Sequence, residues 1–279
     1  MRCIACVLRL VNGTDENRAI TKPLRGDYKM KKFLIPCIVL GLFLTAGWFA
    51  ACQKDPANNE TTTNAVEAID RTNANSKVFP PSAHPYGKSY AEWSVLWLQQ
   101  FMAFDCATNP WLNFSDVLFY ESGPVYFMTG IPQLGGSANI TVPHGKALLF
   151  PLVNYINDYP CPAQYNFEPA PGQSLEDFLT EGAVGFLAGV TALEVTIDGG
   201  SVSNVQSYQF TSDLFYFTGD PSLPNCLDVC VTGSSQPAVG SGYYIMLKPL
   251  SIGTHTVHYH MEIPAYSSVQ DGTINITVN

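Results

Sequence analysis

The densest set of metal-ligating side chains in the chain is Thr256-Val257-His258-Tyr259-His260-Met261-Glu262. On a strand alternate residues share a face, so His258, His260 and Glu262 point the same way at intervals of about 6–7 Å. Neutral imidazoles two residues apart can both reach one zinc or similar divalent transition metal, and a carboxylate can complete a facial set. A metal held there would make the chain a metal-dependent enzyme. A strand face of polar residues turned to solvent explains the same alternation.

Other chemistry has less behind it. His144 sits between Pro143 and Gly145 in a predicted turn, next to Lys146. A hydrolase would take His144 or His258 as base and a serine as nucleophile, yet no Gly-x-Ser-x-Gly elbow places that serine. Paired-carboxylate glycoside cleavage needs two acids about 5–9.5 Å apart, and the sequence does not say which two. Neither a P-loop nor a dinucleotide fingerprint occurs. For a non-catalytic module the contact would be an aromatic side chain in a loop. Trp111, between Asn109-Pro110 and Leu112, is the candidate because it lies outside both predicted helical stripes, and a core plug beneath the loop is its alternative.

From Phe79 to Asn279 about 200 residues remain for one domain with a sizeable core. That part holds three basic residues, Lys88, Lys146 and Lys248, against 16 acidic ones, a formal net charge of −13. Phosphate contacts need basic side chains that this domain lacks, so nucleic acid is excluded as a partner and cations or neutral ligands are favoured.

Two helices must position these residues within a domain otherwise patterned as strands. Ser89-Tyr90-Ala91-Glu92 is a capping box, and Trp93, Leu96, Trp97 and Phe101 recur at helical spacing, which predicts a helix to about Ala103 with its aromatic stripe in the core. Ser174-Leu175-Glu176-Asp177 opens a second helix ahead of the Gly-rich Gly182 to Gly189 stretch. Strands are predicted at Val125–Met128, Ala147–Phe150, Leu193–Ile197, Tyr208–Phe217, Tyr243–Leu247, His255–Ile263 and Thr273–Val278, with Asp198-Gly199 as a hairpin turn. Seven or more short strands between turns make the expected fold mainly β, a β-sandwich of immunoglobulin-like or jelly-roll-like type with two accessory helices.

Cys106, Cys161, Cys226 and Cys230 form an even set that reads as two disulfides, although four cysteines allow three connectivities. Cys226 and Cys230, in a turn-rich stretch, are expected to close a small loop, leaving Cys106 to pair with Cys161. A four-cysteine zinc site is the alternative, but no second paired spacing supports it.

The address is written ahead of the domain. Met30-Lys31-Lys32, the apolar stretch Phe33 to Phe49 and Ala50-Ala51-Cys52 read as an export signal cleaved after Ala51. The segment resembles a bacterial lipoprotein signal peptide. That resemblance implies a lipid-bearing Cys52 as first residue of the mature protein and membrane lipid as its partner. A transmembrane anchor is the alternative, weakened by Pro36, Gly41 and Gly47. Residues 1–29 read as a mis-assigned start or extension, 30–51 as signal peptide, 52–78 as a flexible tether poor in apolar residues, and 79–279 as the single domain. Cys52-Gln53-Lys54-Asp55 resembles the short signal that sends Bacteroidota lipoproteins to the cell surface, so the expected location is the outer membrane, on the surface or the periplasmic face.

Leu247 to Val257 resembles the last hairpin of many immunoglobulin-like secreted domains. Gly87-Lys88-Ser89-Tyr90-Ala91-Glu92-Trp93, Gly123-Pro124-Val125-Tyr126-Phe127 and Val142-Pro143-His144-Gly145-Lys146-Ala147-Leu148-Leu149-Phe150-Pro151 resemble an uncharacterised family of exported bacterial proteins. That resemblance implies no activity. The function expected is a lipid-anchored, non-catalytic binding module for a glycan, polymer or protein, with a metal-dependent enzyme on the His258, His260 and Glu262 face as alternative.

Overall fold

A computed structural model of the chain describes residues 74–113, 117–130 and 136–279. The signal segment, Cys52 and most of the tether lie outside the described residues. Eleven strands form two sheets, with the α-helices α1 (Tyr90–Phe101), α2 (Pro110–Asn113) and α3 (Leu175–Leu187) beside them. The six-stranded sheet holds β1 (Leu118–Ser122), β2 (Val125–Met128), β4 (Ala147–Asp158), β9 (Ser235–Leu247) and β7 (Gln209–Thr211) in that order, with β8 (Phe215–Thr218) also paired to β9. The five-stranded sheet runs β3 (Gly136–Val142), β11 (Ser268–Val278), β10 (Gly253–Ile263), β5 (Ala192–Ile197) and β6 (Gly200–Ser201). The mainly β sandwich read from the strand pattern is the fold observed.

The two sheets differ in what covers them. Strands β4 and β9 are buried along almost their whole length, as strands covered on both faces are, and α1 and α3 lie against them. Strand β10 alternates instead, with Val257, Tyr259, Met261 and Ile263 buried and the residues between them turned outward. Its inner face meets β4, where Phe150 and Tyr259 pack edge to face at 5.0 Å. One face of the five-stranded sheet therefore builds the core, and the residues of β3, β10 and β11 on the other face are exposed or half-buried.

Helix α1 begins as its sequence demands. Ser89 Oγ accepts from the Glu92 N–H at 3.2 Å, and the Glu92 carboxylate accepts from the Ser89 N–H at 2.7 Å. Trp93, Trp97 and Phe101 are buried, and both indole N–H groups donate to backbone carbonyls, Pro85 O and Met128 O, each at 2.9 Å. The aromatic stripe is core.

Helix α3 does not stop at Gly182 but continues to Leu187. Gly182 lies so close to β4 that a Cβ there would stand 2.2 Å from Asn157 Nδ2, which donates to Leu179 O at 2.9 Å. Glycine here allows close docking, and its cost in helix propensity, about 1 kcal/mol, is borne by that contact.

The cysteines pair otherwise than local proximity leads one to expect. Cys106 bonds Cys226 and Cys161 bonds Cys230, with Cα separations of 6.0 and 4.2 Å. Neither the Cys226–Cys230 loop nor the Cys106–Cys161 bond forms. The segment between Leu223 and Val231 is a cap whose two cysteines reach different elements. Cys226 meets the chain leaving α1, and buried Cys230 meets the chain leaving β4.

Ala74, the first described residue, is buried with Val78 in the main core. Val78 bridges Leu247, and Lys248 N–H donates to Lys77 O at 2.8 Å.

Candidate functional site

Strand periodicity does put His258, His260 and Glu262 on one face, the outer face of the five-stranded sheet. Register adds a residue that the sequence reading missed. In the β10–β11 pairing His260 is opposite Asp271, whose Oδ1 lies 3.4 Å from His258 Nε2 and whose Oδ2 lies 3.2 Å from His260 Nδ1. The other ring nitrogen of His260 lies 3.2 Å from Glu262 Oε1. Exposed Glu194, on β5, is paired with His260 on the opposite side. Burial opposes charging of His260, but hydrogen bonds to Asp271 and Glu262 outweigh it and hold the imidazole pKa above its ordinary value. As built, the cluster is held by protons: a carboxylate links two imidazoles, and a metal would have to displace the His260 proton to enter.

The rest of this face is uncharged. Ser137, Asn139 and Thr141 on β3 are in parallel register with Thr273, Asn275 and Thr277 on β11. Asn275 Nδ2 donates to Asn139 Oδ1 at 3.0 Å across that pair, and Thr254 and Thr256 continue the polar face onto β10. The result is a row of hydroxyls and amides ending in the histidine–carboxylate cluster.

Trp111, the candidate contact, falls in α2, half-buried and packed against the main core. His144 lies exposed in its turn, where its N–H donates to Asn279 O at 2.7 Å. Lys146 pairs with Glu121 and lies 5.7 Å from the Tyr126 ring centroid.

A second histidine site escaped the sequence reading altogether. His255 Nδ1 lies 2.8 Å from Asp198 Oδ2, and His255 Nε2 lies 3.3 Å from Ser251 Oγ, the residue types of a hydrolytic triad. The distances argue against that chemistry. Nε2 is closer to the Ser251 carbonyl oxygen, 3.0 Å away, than to the hydroxyl, and a nitrogen facing a carbonyl carries the hydrogen rather than the lone pair a base needs. The group is a clasp. Asp198 takes the left-handed conformation of its Asp-Gly turn, φ 52°, and its carboxylate accepts from Thr256 N–H at 2.8 Å and from Lys77 Nζ at 2.7 Å. Burial works to raise the Asp198 pKa, and the bonds from His255, Lys77 and Thr256 outweigh it and lower it.

Among the described residues one group of three potential ligands has donor atoms within 4.8 Å of one another: Asp158, Asp228 and Cys230. Cys230 is bonded to Cys161, so its sulfur is no thiolate ligand and two carboxyls remain. No described helix is long and apolar enough to cross a membrane.

No protein-family model and no curated protein matches the chain. Solved structures similar to it include the cysteine protease inhibitor EhICP2 from Entamoeba histolytica, at 12% identity and a TM-score of 0.21, covering 56% of this chain and 96% of that one. Amebosin is similar at 10% identity and a TM-score of 0.20, over 57% and 100% of the two chains. PbICP-C, solved in complex with falcipain-2, is similar at 11% identity and a TM-score of 0.22, over 56% and 100%. Likeness at this level carries no argument about activity.

Proposed function

We propose that this chain is an exported, lipid-anchored binding module without catalytic activity, whose contact surface is the outer face of the five-stranded sheet. One observation carries the reading. Both long helices and the tryptophan stripe are used to cover the six-stranded sheet, while the other sheet leaves its polar outer face uncovered among the described residues. Side-by-side hydroxyls and amides there, with acidic groups at one end, offer donors and acceptors at regular strand spacing and suit a hydroxyl-rich glycan. The domain charge of −13 disfavours anionic polymers.

Asn275→Lys places a long charged side chain in the middle of this face at an exposed position where substitution costs little stability, within about 0.5 kcal/mol. The expected outcome is loss of retention on insoluble cell-wall polysaccharide with an unchanged melting midpoint. Equal retention of wild type and variant would overturn the glycan reading. Capture of a purified protein by the same face, with no polysaccharide retained, would replace the glycan with a protein partner.

A second reading is metal-assisted chemistry on His258, His260 and Glu262, favoured by the Asp271 carboxylate lying between the two imidazoles. To hold zinc, manganese or copper as Lewis-acid centre those four side chains would have to draw together, since no three of them bring donor atoms within 4.8 Å of one another. Binding must compete with the raised proton affinity of His260, so it strengthens as pH rises through that group's titration. Titration calorimetry with zinc chloride should give micromolar binding at pH 8, weakening toward pH 6 and lost in His258→Ala/His260→Ala. A wild-type domain that binds no transition metal at micromolar concentration sinks this reading.

A further inference from the structure

The cap between Leu223 and Val231 is held down by more than its disulfides. Beneath it the carboxyl groups of Asp158, at the end of β4, and Asp228, in the cap, come within 4.8 Å of one another. Asp158 is 3% exposed, and Gln236 of β9, 1% exposed, turns its amide Nε2 to Asp158 Oδ2 and to Cys230 O, the latter at 3.0 Å. Asp228 Oδ1 accepts from Cys230 N–H at 2.9 Å. Gln236 Oε1 is taken up by Thr232, whose N–H and hydroxyl donate to it at 2.7 and 2.8 Å. Gln236 therefore offers Asp158 a donor and no acceptor. Two carboxylates this close in a buried site repel, so the state favoured there is one proton held by the pair.

We propose that the Asp158–Asp228 pair is an acid-closed latch that fastens the disulfide cap to the ends of β4 and β9 while one proton is shared, and releases it when both carboxylates are charged. The groups facing the pair come from three places: Gln236 from β9, the Cys230 N–H and Thr232 from the cap, and the Cys161–Cys230 bond behind β4. None of them titrates, so the only charges that act on the pair from these elements are its own. Burial raises the pKa of both acids. The charge of Asp228 raises Asp158 further, so the pair as a unit holds one proton above the ordinary aspartate range. The sign follows from proton linkage. The folded pair binds a proton more tightly than the unfolded chain, so its stabilisation is full below the ordinary aspartate range and is lost as pH rises through the raised folded value.

Asp158→Asn tests the latch because an amide reproduces the protonated acid: its oxygen accepts from Gln236 and its NH2 donates to Asp228. Asp228→Asn is the companion variant should the first fail to fold. Melting midpoints of the oxidised wild-type protein and variants are compared from pH 4 to pH 9, and limited proteolysis of the cap is followed in parallel. Between the ordinary aspartate range and the pair's raised folded value the closed form loses up to tenfold of its advantage per pH unit, a fall in wild-type midpoint of about 3–5 °C per unit that levels off above the folded value. The Asp158→Asn protein is expected to lack that fall and to keep its cap protected. Parallel pH curves for wild type and both variants would overturn the latch. So would restoration of the alkaline wild-type midpoint by 2 mM calcium chloride with no effect on Asp158→Asn, which would make the pair a cation site instead.

Discussion

Cys106→Ala/Cys226→Ala is expected to lower the melting midpoint of the domain by about 10–20 °C. The bond spans 120 residues, and closing a loop of that length removes chain entropy from the unfolded state worth about 5 kcal/mol. Against a total stability of typically about 5–15 kcal/mol, that is a large share. Its place in the fold explains the dependence. Leu223, fully buried, belongs to the cap, and the cap meets the α1 exit through Cys106 and through the Asp220 N–H, which donates to Met102 O at 2.9 Å. Breaking the bond leaves those contacts to hold the segment without covalent help. The Cys161–Cys230 bond remains in this variant, so the latch beneath the cap is not cut with it. A midpoint within about 2 °C of wild type, at most about 1 kcal/mol at the roughly 2–4 °C per kcal/mol of a domain of this size, would refute the estimate. Reactive thiols at Cys106, Cys161, Cys226 and Cys230 in the oxidised wild-type protein would refute the pairing itself.

What could be read ahead of the structure was local. Ser89 and Glu92 specify a helix start within four residues, and the helix starts there. Asp198-Gly199 specifies a turn within two, and both residues take positive φ, 52° and 79°. Alternation along His255–Ile263 assigned His258, His260 and Glu262 to one face without any partner strand being known. The parallel pairs β2–β4 and β3–β11 have no such signature, because the strands that meet are joined by long intervening chain and their register is set by packing. For the same reason Asp271 was invisible. β11 was read as starting at Thr273, but it begins at Ser268, and only the hairpin through Pro264–Tyr266 brings Asp271 opposite His260. The single strand expected over Tyr208–Phe217 divides into β7 and β8. Cysteine connectivity failed on the same ground: nearness in sequence says little when the two sulfurs of one short cap bond opposite neighbours.

The largest change expected from one substitution concerns where the protein resides. Cys52→Ser in the full chain should move it from the membrane fraction to the soluble exported fraction and abolish incorporation of radiolabelled palmitate. Each buried methylene contributes about 0.8 kcal/mol of membrane affinity, so one acyl chain holds weakly and two or more hold lastingly. A serine hydroxyl offers no thioether for the chains, and all of that affinity goes at once. The net charge of −13 on residues 79–279 repels anionic lipid. Cys52→Ser protein with an unchanged melting midpoint and no palmitate label separates anchorage from folding. Retention of the variant in the membrane, with a mature N-terminus that still carries residues 33–49, would instead make that apolar stretch a spanning anchor and overturn the lipoprotein reading.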